Sequence, residues 1–159
     1  MSVKYPGPEP NFMSDKIFLD TNILVYAFDK ENDARHRIAS DLVMSGFKEG
    51  NTVISTQVLM EFFVTVTQKV VDKMTPKEAE QAVRDLALWP VVETSVSLVL
   101  RAIATHRKHR LSFWDAMIVA AAKTAGCFTV LTEDLSHHSR IENILILNPF
   151  TKGSQEDPA

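Results

Sequence analysis

Lys16-Ile17-Phe18-Leu19-Asp20-Thr21-Asn22 opens the patterned part of the chain, a short apolar run that ends on an acid. Ile17 to Leu19 shows no polar–apolar alternation, so it reads as a strand covered on both faces. Further strand runs follow at Thr52 to Ser55, Val91 to Glu93, Phe128 to Leu131 and Ile144 to Leu147. Helical patterns lie between them. Asn22 to Phe28 is a short one. Asp33 to Lys48 repeats Ala34, Ile38, Leu42, Val43 and Phe47 near helical spacing, with Gly46 and Gly50 marking its end region. Gln57 to Val71 carries Leu59, Phe62, Phe63, Val66 and Val70 on one stripe. Thr75-Pro76-Lys77-Glu78 supplies a cap, a proline in the first turn and an acid, opening a helix to about Leu88. Ser97 to His109 and Ser112 to Ala125 complete the series, the last stopping at Gly126. Strands alternating with helices predict an α/β fold: a central parallel sheet of five strands, with about seven helices on its two faces.

The 159 residues fit one domain, predicted over residues 16–150. Residues 1–15 hold Pro6, Gly7, Pro8 and Pro10 without periodicity and read as a flexible lead-in. Met13 is an alternative start to Met1. Residues 151–159 read as a flexible tail. A hydrophobic content of 45% is enough for a core, and 23% charged residues is ordinary for a soluble domain. No stretch is long enough to span a bilayer, and no charged-then-apolar leader opens the chain. The single cysteine, Cys127, excludes an internal disulfide and a multi-cysteine zinc site, and reads as a buried hydrophobe at a strand start. A cytoplasmic location is expected from these features.

Four acids sit against apolar sequence: Asp20 after Ile17-Phe18-Leu19, Glu61 within Val58-Leu59-Met60-Glu61-Phe62-Phe63-Val64, Asp115 within Phe113-Trp114-Asp115-Ala116, and Asp134 after Val130-Leu131-Thr132-Glu133. Removing a carboxylate from water is costly without compensation. The net charge of −3 comes from 17 Lys+Arg against 20 Asp+Glu; without these four acids, 16 Asp+Glu would face 17 Lys+Arg. The acidity of the chain is thus no larger than this one constellation, and no broad basic field for nucleic acid accompanies it. In an open parallel sheet, sites form beyond the carboxyl ends of the strands. Asp20 and Asp134 follow strand ends, while Glu61 and Asp115 lie near helix starts, so all four are expected on one sheet edge. Each also has a plainer reading. Asp20 and Asn22 can cap a helix. Asp115 fits a capping box with Ser112. Glu61 can face solvent. Asp134 can be a turn residue whose place Glu133 takes.

Asp20-Thr21-Asn22, Glu61, Phe113-Trp114-Asp115-Ala116 and Leu131-Thr132-Glu133-Asp134-Leu135 together resemble the PIN-domain nucleases, and within them the VapC-type toxins of toxin–antitoxin pairs. The resemblance covers about Lys16 to Pro149. It implies a three-layer α/β/α domain with strand order 3-2-1-4-5. It implies a Mg²⁺ or Mn²⁺ site formed by Asp20, Glu61, Asp115 and Asp134, with Thr21, Asn22 and Thr132 orienting the acids or the water. It also implies an RNA substrate, a homodimer and a cognate antitoxin protein that covers the acidic cleft.

Oxygen ligands without His or Cys suit Mg²⁺ or Mn²⁺ rather than zinc. The chemistry expected is in-line attack on a phosphodiester by a metal-activated water, leaving a 5′-phosphate and a 3′-hydroxyl. Arg101, Arg107, Lys108 and Arg110, with His106 and His109, either contact substrate phosphates or complement a helix C-terminus; Arg107 and Arg110 are taken as substrate-orienting. His137 and His138 read as loop residues facing solvent, and Phe113 and Trp114 as packing residues. Two other functions compete. An aspartyl-nucleophile phosphohydrolase would use Asp20, but its second acid is replaced by Asn22. A receiver-like interaction module would need an acid after its third strand and a lysine after its fifth; Glu93 and the remote Lys152 fit these poorly.

Overall fold

The computed structural model describes residues 11 and 15–151. Apart from Asn11, Asp15 and Thr151, the expected lead-in and tail lie outside the described residues. The elements run β1 (Ile17–Leu19), α1 (Thr21–Phe28), α2 (Asp33–Glu49), β2 (Thr52–Ser55), α3 (Thr56–Gln68), α4 (Pro76–Leu86), β3 (Val91–Val92), α5 (Val96–His109), α6 (Phe113–Thr124), β4 (Thr129–Leu131), β5 (Arg140–Ile141) and β6 (Ile144–Leu147). The described residues hold six helices, one fewer than the sequence predicts.

The sheet order is β3-β2-β1-β4-β6-β5. Its first five members are parallel and reproduce the expected 3-2-1-4-5 order. The sixth strand, β5, is a correction: it pairs antiparallel with β6, matching Arg140 to Leu145 and Ile141 to Ile144. Glu142 (φ 51°) and Asn143 (φ 65°) turn the chain between them with both residues left-handed, the backbone of a tight hairpin. Asparagine tolerates that conformation and glutamate does so less readily, so the turn has only half of its usual sequence signature.

All residues of β1, β2, β4 and β6 are buried, as unbroken apolar runs require when helices cover both faces. Phe18, Ile23, Leu24, Ile54, Phe62 and Leu145 are fully buried at the centre of the core. Serine or threonine hydroxyls cap α3 (Ser55), α4 (Thr75), α5 (Ser95) and α6 (Ser112), and Thr75 with Glu78 closes a full capping box. Gly46 does not end α2. It lies inside the helix, where an added Cβ would stand 2.5 Å from Thr52 Oγ1 and 3.1 Å from the Trp89 ring, so glycine lets α2 approach β2. The end is Gly50, left-handed at φ 71°. Among the described residues, no helix is long and apolar enough to cross a membrane.

Candidate active site

Because β1 and β4 are adjacent and parallel, the segments that follow them leave the same sheet edge side by side. Asp20 follows β1 and is 5% exposed. It caps α1, accepting from the Thr21 backbone N–H at 2.7 Å, as the capping reading expects. Its second oxygen accepts from Thr132 Oγ1 at 2.8 Å, across from the end of β4. The same hydroxyl oxygen accepts the Asp134 N–H at 3.1 Å, so Thr132 ties the two segments together.

Glu61 reaches this edge from the second turn of α3. It accepts from Thr21 Oγ1 at 2.8 Å and from Gln57 Nε2 at 3.0 Å. Gln57, one helical turn earlier and buried, also donates to the Trp114 carbonyl at 3.3 Å and so links α3 to α6. Sequence reading missed it; the signal was a polar residue four before Glu61 on an otherwise apolar helix start. Asp134 is exposed and accepts from Asn22 Nδ2 at 3.0 Å. Asp115 lies in the first turn of α6, where its N–H donates to Ser112 Oγ at 3.1 Å. Among the described residues, no return bond from its carboxylate closes the predicted capping box, and that carboxylate stands near enough to Asp134 to repel it.

Glu133 and Asp134 part company. Glu133 turns away from the cluster, accepting from Tyr26 Oη at 2.6 Å and pairing with Arg35 at 3.1 Å. The Arg35 guanidinium lies over the Tyr26 and Phe150 rings, which pack edge to face. Burial and the bond to Glu133 push the Tyr26 hydroxyl up to about 12, so it stays a donor. This latch holds the segment after β4 on α1 and α2.

Thr21, Asn22, Gln57, Glu61 and Asp134 line a cleft of about 830 Å³ whose other wall mixes apolar Val25, Met60, Val64 and Trp114 with Asp29, Thr65 and Lys69. Trp114 corrects the packing assignment: it is 63% exposed and faces this cleft. Arg107 and Arg110 are exposed at the end of α5, Arg110 as its left-handed cap, and neither lines the cleft. His137 and His138 are half-buried rather than solvent-facing. Their rings stack 3.6 Å apart, and His137 Nδ1 accepts the Asn148 N–H at 2.8 Å, securing the chain after β6. Cys127 is buried, and burial pushes its thiol up to about 12.

Burial pushes the Asp20 carboxyl up to about 6 against the pull of its Thr132 and Thr21 hydrogen bonds, and repulsion from Asp134 and Glu61 adds to the rise. Asp134 is also raised, by burial first and then by repulsion from Asp115, Glu133 and Glu61, while its bond from Asn22 opposes the rise. Among the described residues, no Lys, Arg or His forms an ion pair with any of the four acids. Nor do three Asp, Glu, His or Cys side chains stand close enough together to hold an ion as they are. The donors present nevertheless fit a hard divalent cation. They are all oxygens, they carry uncompensated negative charge, and Asn22 Oδ1 is buried at the same place with no hydrogen-bond partner. Neutral donors hold three of the acids individually: Thr21 N–H and Thr132 on Asp20, Thr21 Oγ1 and Gln57 on Glu61, and Asn22 on Asp134.

The PIN domain family model matches residues 17–143. The chain belongs to the PIN-domain family. No curated protein sequence matches it. Among solved structures, it is similar to VapC20 of Mycobacterium tuberculosis, described as a toxin that cleaves the sarcin–ricin loop. That match has 23% identity, covers 72% of this chain and 87% of that one, and has a TM-score of 0.56. A toxin–antitoxin complex from Klebsiella pneumoniae matches at 21% identity, over 84% of this chain and 98% of that one, with a TM-score of 0.61. A DNA-bound VapBC from Salmonella typhimurium matches at 22% identity, over 82% and 96%, with a TM-score of 0.56. At these identities the likeness is one of fold.

Proposed function

We propose that this PIN domain is a Mg²⁺- or Mn²⁺-dependent endoribonuclease that hydrolyses RNA phosphodiester bonds, and that it is the toxin of a toxin–antitoxin pair acting in the cytoplasm. One observation supports the reading: Asp20, Glu61 and Asp134 are each held by neutral donors, Asp115 stands in the first turn of α6 near enough to repel Asp134, and none of the four forms an ion pair among the described residues. A structural ion-pair network would have recruited lysine or arginine, as the acids Glu133 and Glu142 of this chain do.

The residues divide the work. Thr132 and the Thr21 N–H hold both oxygens of Asp20, so its rotamer is set before substrate arrives. Thr21 and Gln57 do the same for Glu61. Asn22 donates to Asp134, which keeps that carboxylate at the mouth of the cleft. That donation also gives Asn22 an orienting role in place of the second acid that an aspartyl-nucleophile phosphohydrolase would need. A divalent ion held by the four acids would supply charge neutralisation for the phosphoryl oxygens and acidify the attacking water. One carboxylate of the cluster would accept a proton from the attacking water; in-line attack at phosphorus would break the bond to the 3′-oxygen, which would take a proton from solvent, giving a 5′-phosphate and a 3′-hydroxyl. The apolar wall with Trp114 faces the nucleotide or, in the inhibited state, the antitoxin. Solved complexes of the same fold with antitoxins support an antitoxin partner, and family resemblance supports a homodimer.

The test is cleavage of RNA with Mg²⁺, with Mn²⁺ and with EDTA, by the wild type, Asp20→Asn and Asp115→Asn. Each substitution is expected to lower the metal-dependent rate by about 10²–10⁴-fold. Equal rates in all three proteins, or products ending in a 2′,3′-cyclic phosphate, would overturn the reading.

A further inference from the structure

The acids of the active site have a counterpart of opposite sign between α5 and the end of α6. Between Arg101 and Lys123 the chain places Arg101, Arg107, Lys108, Arg110 and Lys123 against one acid, Asp115. Three of these cations, Arg101, Lys108 and Lys123, line a second cavity of about 440 Å³ with Thr105, Thr124 and Glu142. Glu142, held out by the left-handed turn between β5 and β6, accepts from Lys123 Nζ at 2.9 Å and from His109 Nε2 at 3.0 Å. Lys108 Nζ stands 3.7 Å from the same carboxylate, beyond a full hydrogen bond. Arg101 makes no ion pair among the described residues. Lys108 and Lys123 remain 69% and 59% exposed. One carboxylate therefore gathers two lysines and neutralises the charge of one. The ammonium groups keep donors to spare, since each has three N–H bonds.

Lys123 follows Asp115 by eight residues on the same helix. At the pitch of an α-helix this is about 12 Å along the axis and about 80° around it. A nucleic-acid strand whose phosphodiester lies at the acids can thus carry its neighbouring phosphates toward the cations. From this geometry we infer that Lys108 and Lys123, gathered by Glu142, form with Arg101 on the same cavity wall a second contact for the RNA backbone, docking phosphates that flank the scissile bond. The inference rests on the ribonuclease reading for its choice of polyanion. Its chemistry is sequence-independent: point charges and N–H donors on phosphate oxygens position a strand without reading its bases. It also gives a protein of net charge −3 a way to hold a polyanion beside four carboxylates.

The experiment measures binding of a short fluorescein-labelled oligouridine by anisotropy in EDTA, as a function of salt, so that no cleavage is involved. The double variant Lys108→Gln/Lys123→Gln is compared with the wild type and with Lys48→Gln/Lys77→Gln, which removes the same charge from other exposed positions. Each lost phosphate contact lowers the slope of log K against log salt by about 0.7 on a single strand, so the patch variant is expected to lose about 1.4 and the control none. In the Mg²⁺ cleavage assay the patch variant should show a raised KM at unchanged kcat. Equal slopes in the patch variant and the wild type, or equal losses in both double variants, would overturn the patch. So would a patch variant that keeps its RNA slope and loses only binding to polyglutamate, since that assigns the surface to an acidic protein. A slope lost in the patch variant, with a wild type that never cleaves RNA, would overturn the ribonuclease reading and leave the patch standing.

Discussion

The carboxyl edge of the sheet and the turn between β5 and β6 both collect titratable side chains, and they end in opposite electrostatic states. At the turn, Lys123 and His109 hydrogen-bond to Glu142, and with Lys108 nearby they hold its carboxyl down at about 2. At the edge, burial and neighbouring acids push Asp20 up to about 6, with only neutral donors to oppose it. A fold that needed only a charged cluster to lock a hairpin would resemble the turn. The edge retains a charge imbalance that the folded chain does not relieve, and such imbalance is concentrated where a ligand completes the site.

The contrast is sharpest in how stability depends on pH. Below about pH 4, Asp20 is protonated whether folded or unfolded. Between about 4 and 6 the folded chain keeps that proton and the unfolded chain loses it, so stability drains away as the pH rises through 6. The full cost above this window is about 3 kcal/mol, from a shift of roughly two pKa units. Asp20→Asn is therefore expected to stabilise the protein by up to that amount at neutral pH in EDTA, and to change nothing below pH 4; denaturant unfolding at the two pH values checks it. A destabilised variant at neutral pH would erase the contrast between the two regions.

Glu142 has the opposite sign. Its carboxyl is depressed, so its contribution is present above about pH 4 and is lost as the pH falls toward 2. The exposure of Lys108 and Lys123 limits what these contacts are worth. Glu142→Gln is expected to cost about 1–2 kcal/mol at pH 7, and the difference should shrink in acid, read from paired thermal melts. The smallest effect belongs to the latch beside the edge. Tyr26→Phe removes the hydrogen bond to Glu133 and leaves the ring on Phe150, at a cost of about 1 kcal/mol in denaturant unfolding. A loss several times larger would mean that the latch contributes more than Thr132 to holding the segment after β4.

Much of this was legible in the sequence because it is local. The apolar runs of β1, β2, β4 and β6 required burial on both faces, and hence a parallel sheet with its loops on one edge. The positions of Asp20 and Asp134 in the fold followed from where two of those runs stop, and those of Glu61 and Asp115 from the helix starts. What escaped was long-range or below pattern length. The strand β5 is two residues long and turns through Glu142-Asn143 without a glycine. Glu133 could not be separated from Asp134, because its partners Tyr26 and Arg35 lie 107 and 98 residues away. Trp114 sits in an apolar stretch that suggests packing, and only the meeting of α3 with α6 leaves it in the cleft. The basic run at the end of α5 divides for the same reason: Lys108 and His109 meet Glu142, whereas Arg107 and Arg110 remain on the surface.

Binding of Mn²⁺ at pH 7.5, followed by the loss of its free-ion electron paramagnetic resonance signal, tests the central claim most directly. Wild type is expected to take up the ion saturably and Asp20→Asn to bind it at least about 10-fold more weakly. A wild type that binds no Mn²⁺, or a variant that binds it equally well, would contradict the assignment of the acidic edge as a metal site.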